Sequence, residues 1–147
     1  MLILYYPKQI PSIWPFLKEG LEAGLPPFTL AEDDTIANVL EAILAERMQV
    51  WLICPSAQEQ NTLLGFVVTT VVQDAASRSR NLLIYCLYTA RPADQKLWLD
   101  GFNAIQAFAR SEECGAIIAY TQVPAIVNRA ESFGADTSQT FIRFNLD

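Results

Sequence analysis

LLIYCLYTARPADQKLWLDGFNAIQAFARSEECGAII, residues Leu82 to Ile118, decides the fold. Leu82 to Tyr88 is apolar on both alternating faces, the pattern of a central strand covered on both sides. A break follows at Arg91-Pro92. Trp98, Phe102, Ile105 and Ala109 then recur at helical spacing, with Asp94 placed to cap the N-terminus and Gly101 marking an expected point of close packing. Ala116 to Thr121 reads as the next strand, so the stretch is a β-α-β unit.

Working upstream, Leu63 to Gln73 is a long run rich in β-branched residues, and Val50 to Cys54 a shorter one. With the polar turn Pro55 to Asn61 between them they suggest an antiparallel hairpin, joined to the β-α-β unit through Asp74 to Arg80. Before the hairpin, Ile36, Val39, Leu40, Ile43 and Leu44 form one apolar stripe of a helix ending near Arg47. Glu32, Asp33 and Asp34 crowd its positive end. Ile10, Trp14, Leu17 and Leu21 mark an earlier helix, stopped by Gly24 and Pro26-Pro27. Leu2 to Tyr6 is a first strand and Pro7 to Pro11 a turn.

Downstream, Pro124 suits the first position of a helix carrying Ile126, Val127, Ala130 and Phe133 on one face, and Gly134 falls where a C-terminal cap belongs. Ile142, Phe144 and Leu146 alternate as a closing strand. The expected fold is α+β, an α/β sandwich with a mixed, mostly antiparallel sheet and helices on both faces. Its order is β-α-α-β-β-β-α-β-α-β, in one domain spanning residues 1–147, a length at which a chain can bury a core of its own.

Composition excludes several classes. The 16 Asp and Glu outweigh the 10 Lys and Arg, which argues against a nucleic-acid backbone as partner. The chain has no His, which removes imidazole as base, metal ligand or pH switch, and no metal site is expected. Cys54, Cys86 and Cys114 form no CxxC pair and read as small buried hydrophobes of a reducing compartment. The opening residues lack the basic flank and length of a secretory signal, and the uncharged run from Asn61 to Gln73 is far short of the ~20 residues a membrane span needs. A cytoplasmic location is expected. Hydrophobic residues make up 52%, and this excess, with a last strand at the sheet edge, allows pairing with a second copy or another protein.

The element order resembles the GNAT superfamily of N-acetyltransferases over nearly the whole chain. Ala109 to Ile118, ARSEECGAII, looks like the end of that family's third helix entering its fifth strand. Asn128 to Ala135, NRAESFGA, looks like the fourth-helix ending usually written LYEKLGF. WPFLKEGLEAG from Trp14 and MQVWLI from Met48 are similar to small GNAT-like proteins often found in bacteriophages, which would place the protein in a host cytoplasm or a virion.

The resemblance implies acetyl-CoA as cofactor and an amine as acceptor. In the family, the loop between the fourth strand and third helix, Q/R-x-x-G-x-G/A, aims backbone N–H groups at the CoA pyrophosphate, while pantetheine lies between the splayed fourth and fifth strands. That implies a cofactor site of Leu87, Tyr88, Arg91, Gln95, Lys96, Leu97 and Trp98. The glycine positions fall near Lys96 and Trp98, and Asp94 sets a carboxylate beside the phosphates that only Arg91 and Lys96 offset. Arg78 and Arg80 are excluded from that site, being roughly 20 Å or more away along the strand.

The family's general-acid Tyr maps to Ala130, which leaves Tyr88 and Tyr120, at two strand ends, as catalytic candidates. Each could serve only if it points into the cleft, and packing is the plainer reading of both. Glu32, Asp33 and Asp34 serve either an amine or the helix start, and Trp51 and Trp98 read as core. Two functions follow: an acetyl transfer enzyme with an open cleft beside Leu87 and Tyr88, or a GNAT-like module without catalysis, a phage accessory or particle component acting by protein contact, its cleft plugged by Lys96 or Trp98.

Overall fold

The computed structural model describes residues 1–146. The elements are β1 (Leu2–Tyr5), α1 (Trp14–Gly24), α2 (Thr35–Leu44), β2 (Gln49–Ile53), β3 (Gly65–Gln73), β4 (Arg80–Thr89), α3 (Gln95–Ser111), β5 (Ala116–Ala119) and α4 (Pro124–Ser132). A seven-residue 3-10 segment, Pro7–Ile13, lies between β1 and α1, and a single 3-10 turn, Ala57–Glu59, between β2 and β3. Pro7 to Pro11 is therefore helical rather than a plain turn, because Pro7 starts it with its φ preset and Pro11 holds it to the tighter pitch.

The sheet order is β1-β2-β3-β4-β5. The first four strands pair antiparallel, and β5 joins β4 in parallel through the α3 crossover. This is the mixed, mostly antiparallel sheet expected from the sequence.

Alternation along the strands sends side chains to two cores. On one face Ile10, Leu17, Leu21, Val39 and Ile43 pack against Val50, Leu52, Phe66, Val68 and Cys86. On the other, Ile105 and Ala109 of α3 pack against Trp51, Val67 and Leu82. α1 and α2 thus cover one face and α3 the other. Trp51 lies in the core with its ring 5.1 Å from that of Phe108. Its indole N–H donates to Thr69 Oγ1 at 3.0 Å, and the Thr69 hydroxyl donates to Gln49 Oε1 at 2.9 Å. The buried Thr69 is thereby satisfied, as a polar group in a core must be.

Two further expectations fail. Ile142, Phe144 and Leu146 form no strand: they are 71%, 84% and 93% exposed and join no ladder. The segment is pinned to the α1–α2 loop instead, where Arg143 Nη1 donates to the Pro27 carbonyl at 2.8 Å. Gly101 is not a point of close packing, since a Cβ there would meet nothing within 4 Å. Gly134 does follow α4 with φ +92°, a left-handed cap position that glycine adopts without strain.

Candidate active site

The sheet is broken open at one place. Val68 pairs with Cys86 and Thr69 with Ile84, so Tyr85 has no opposite residue on β3 and forms a bulge in β4. The β4–β5 ladder runs from Asn81 with Ala116 to Ile84 with Ala119 and stops there. A bulge bends the strand that carries it and re-aims its neighbours. Beyond Ile84, β4 keeps β3 on one flank and, among the described residues, has no ladder partner on the other. This wedge, walled by Tyr85 to Thr89, is where a chain with polar backbone-binding groups can lie.

Gly65 sits across the wedge's base. A Cβ there would lie 2.1 Å from the Tyr88 carbonyl oxygen and 2.9 Å from Thr89 Cα, so only glycine lets β3 reach β4. Leu87 packs on the α3 side of the sheet. Tyr88 faces the other side, half-buried, with its ring centroid 5.9 Å from Phe16 and 5.5 Å from Phe66.

Tyr120, just past β5, is 41% exposed and joins a different aromatic group. Its ring lies 5.2 Å from Phe28 and 5.4 Å from Phe141. Phe28 also reaches Tyr85 at 6.1 Å, and the Tyr85 hydroxyl bonds Thr29 Oγ1 at 2.8 Å. The α1–α2 loop is thus clasped across the wedge between bulge and β5 end. Phe28, Tyr85 and Phe141 were not singled out from the sequence, where Pro26-Pro27 beside Phe28 served only to stop the first helix. Tyr88 and Tyr120 are in separate clusters.

The start of α3 carries the remaining candidates. Asp94 caps it, with Oδ1 accepting from Leu97 N–H at 2.9 Å. Arg91 and Lys96 are exposed. Gln95 Oε1 accepts from Arg129 of α4, whose guanidinium stands 5.1 Å from the Trp98 ring centroid. Arg129 is a further cation at this helix start that sequence reasoning missed, since α4 is far away in the chain. Glu32, Asp33 and Asp34 are exposed, and Asp34 makes no capping bond through its side chain. The α2 entrance is ordered instead by Thr35 Oγ1, which donates to the Leu30 carbonyl and accepts from Glu32 N–H.

Two open hollows flank the aromatic cluster. One, of about 380 Å³, is lined by Thr29, Asn38, Arg47 and Tyr85 among others. The other, of about 400 Å³, is lined by Pro27, Gln122, Phe141, Arg143 and Asn145. Leu87 and Tyr88 line neither. The ionised side chain in each is an arginine. Burial raises the thiols of Cys54 and Cys86, the latter to about 12, so neither is a nucleophile near neutral pH. Among the described residues no three His, Cys, Asp or Glu side chains gather as a metal set, and no helix is long and apolar enough to cross a membrane.

Comparison with solved structures decides the fold. The chain superposes on a probable acetyltransferase with TM-score 0.72 at 16% identity, covering 100% of this chain and 97% of the other. The fold is that of the GNAT acetyltransferases. A predicted acetyltransferase from Clostridium acetobutylicum, solved with acetyl-CoA, gives 0.71 at 11% identity over 99% and 95%. Ribosomal-protein-alanine N-acetyltransferase from Brucella melitensis biovar Abortus 2308 gives 0.66 at 12% over 99% of each chain. No protein-family model and no curated protein sequence matches the chain. At these identities the likeness of the GNAT neighbours is one of backbone path.

Proposed function

We propose that the protein is a divergent GNAT-like N-acetyltransferase, moving an acetyl group from acetyl-CoA to an amine. The bulge at Tyr85, coinciding with the end of the β4–β5 ladder, carries this reading. Pantetheine is an amide chain that needs backbone partners, and the free flank of β4 from Tyr85 to Thr89 offers them. Leu87 and Tyr88 line the donor's path; Gln95, Lys96, Leu97 and Trp98, with Arg91, meet the phosphates. In the reaction the neutral amine nitrogen attacks the thioester carbon. The C–N bond forms, the C–S bond breaks, the thiolate leaves, and the amine proton passes to water or to the leaving sulfur.

The hold on the donor is weakened at its phosphate end. Leu97 N–H, one of the groups a pyrophosphate would use, already bonds the Asp94 carboxylate. The chain therefore retains the thioester wedge and carries an opposing charge at the anion site, which the cations Arg91, Lys96 and Arg129 offset. Tyr120 lies on the acceptor side, with Phe28 and Phe141 forming an apolar wall. Because the described side chains lining the flanking hollows include Arg47 and Arg143 and no carboxylate, with Glu41 3.9 Å from Arg47 outside the lining, the acceptor is a neutral or carboxylate-bearing amine rather than a polycation.

A second reading, a catalytically inactive phage accessory or virion-associated module acting through protein contacts, is favoured by the exposed Phe144 and Leu146. Acetyl-CoA-dependent thiol release with a panel of free amino acids, amino-terminal peptides, spermidine and an aminoglycoside separates the two. Turnover with the first two groups, reduced in Lys96→Glu through a higher KM for acetyl-CoA, is expected. No release with any amine favours the contact module, and an unchanged KM in Lys96→Glu places the phosphates elsewhere.

A further inference from the structure

The hollow of about 380 Å³ beside Tyr85 is built along one side of α2. Thr35, Asn38, Val39 and Ala42 line it, and their i, i+3, i+4, i+7 spacing puts them on a single helical face. From Thr35 to Ala42 the helix advances about 10 Å, so the hollow has two ends. At the end where α2 begins, the Tyr85 hydroxyl and Thr29 Oγ1 are hydrogen bonded at 2.8 Å. Two hydroxyl groups that share one bond keep a second proton and spare lone pairs for a ligand. Tyr85 is also the bulged residue of β4, and Phe28, next to Thr29, packs on Tyr120 at 5.2 Å. This end therefore opens toward the wedge.

The far end carries a cation. After α2 the chain reverses at Glu46, whose φ of 60° lies in the left-handed region that residues other than glycine seldom occupy. The Ala42 carbonyl then accepts from Arg47 N–H at 2.8 Å and from Met48 N–H at 3.2 Å, which returns both residues to the hollow in place of another helical turn. The carboxylate beside Arg47, Glu41 Oε1, stands 3.9 Å away, beyond hydrogen-bond reach, so the guanidinium fork is open to a second carboxylate. Between the two ends the wall is apolar, made of Val39, Ala42 and Met48.

We propose that this hollow holds the acceptor and that the acceptor is an ω-amino carboxylate. Its amine lies at Tyr85 and Thr29, its apolar stem over Val39, Ala42 and Met48, and its carboxylate on Arg47 with the Asn38 amide beside it. That the bound amine is then acetylated rests on the transferase reading; that the hollow binds it does not. A free α-amino acid separates nitrogen from carboxyl carbon by about 2.5 Å and would leave one end empty. With bonds of about 1.5 Å, a stem of five methylenes separates them by roughly 7 Å, and the reach of the Arg47 side chain covers the rest of the hollow. A dipeptide has a similar span but sets its amide against the apolar wall, where a polar group without a partner costs free energy.

The test is an NMR titration of the full chain without acetyl-CoA, with 6-aminohexanoate, hexylamine, leucine and dialanine as probes. 6-Aminohexanoate should bind about fivefold more tightly than each of the others, with shifts at Asn38, Arg47 and Tyr85. Arg47→Gln should abolish the margin over hexylamine, and Glu41→Gln, which removes the rival carboxylate, should widen it. The two side chains are 65% and 74% exposed, so both variants should keep the far-ultraviolet spectrum of the unmodified chain. Equal or tighter binding of leucine, hexylamine or dialanine overturns the proposal, as does a margin that Arg47→Gln leaves intact. No binding of 6-aminohexanoate, or shifts confined to residues outside the hollow, overturns it too. If acetyl-CoA fails to bind in a titration of its own, the transferase reading falls and this site stands; if acetyl-CoA binds and the margin is absent, the reverse holds.

Discussion

Replacing Asp94 with Asn removes one charge at the start of α3 and leaves the cap in place. Asn and Asp are equivalent caps, so the bond from Leu97 N–H, now 2.9 Å to Oδ1, should survive with stability changed by a few tenths of a kcal/mol. Asp94→Ala, which loses the acceptor, should cost about 1 kcal/mol. The effect on ligand binding has the opposite sense. A phosphate drawing on the same helix N–H groups would stand some 4–5 Å from the carboxylate, where two unit charges repel by about 1 kcal/mol in water-like surroundings. Asp94 is exposed, so the figure for water-like surroundings applies. Acetyl-CoA should bind Asp94→Asn about fivefold more tightly than the unmodified chain. The gain should shrink as salt rises, because screening acts over about 8 Å at physiological ionic strength. Calorimetric titrations at low and high salt read both numbers. Equal or weaker binding by Asp94→Asn, or a gain that salt leaves untouched, would refute the placement of the phosphates at this helix.

Thr69→Val should lower stability by about 1–3 kcal/mol in urea melts, because the Trp51 N–H and Gln49 Oε1 both lose their partner inside the sheet. A loss under about 0.5 kcal/mol would show that water reaches the site. Gly65→Ala should cost at least about 2 kcal/mol by thermal melt, since a Cβ would stand 2.1 Å from a backbone oxygen of β4 that cannot swing aside; a neutral result would mean that β3 and β4 are further apart at the wedge. Cys86 sets an alkaline limit. Its thiol is raised from 9.0 to about 12 by burial, so the folded state keeps a proton that the unfolded state releases. That stability is complete below pH 9 and is lost as pH rises toward 12, at up to about 1.4 kcal/mol per pH unit. In Cys86→Ala this part of the slope should vanish; an identical slope would assign the loss to other groups.

Strand and helix positions were legible wherever one face is apolar. The stripe of α2, the cap at Asp94 and the crossover from β4 to β5 follow from local pattern alone. The bulge at Tyr85 did not, because Leu82 to Tyr88 is apolar on both faces and a change of phase leaves no mark. Nor did the clasp of Phe28 on Tyr85, Tyr120 and Phe141, or the seat of Arg129 over Trp98, which join elements distant in sequence. The closing strand was misread for a related reason. Alternation in Ile142, Phe144 and Leu146 encodes a strand's side-chain pattern, and whether a ladder forms depends on an edge that the sequence does not locate. The missing glycines near Lys96 and Trp98 were visible at once, and the capping bond from Leu97 N–H to the Asp94 carboxylate, which takes up a group an anion would use, belongs to the same local pattern.

Binding of acetyl-CoA to the unmodified chain at low ionic strength is the direct test of an acetyl-donor wedge between β4 and β5. Calorimetry, with amide shifts of Tyr85 to Thr89 followed by NMR in the same titration, should show saturable one-to-one binding. The largest shifts should fall on the free flank of β4 and smaller ones on Gln95 to Trp98. No heat and no shifts at millimolar acetyl-CoA, or shifts confined to residues outside the wedge, would contradict it.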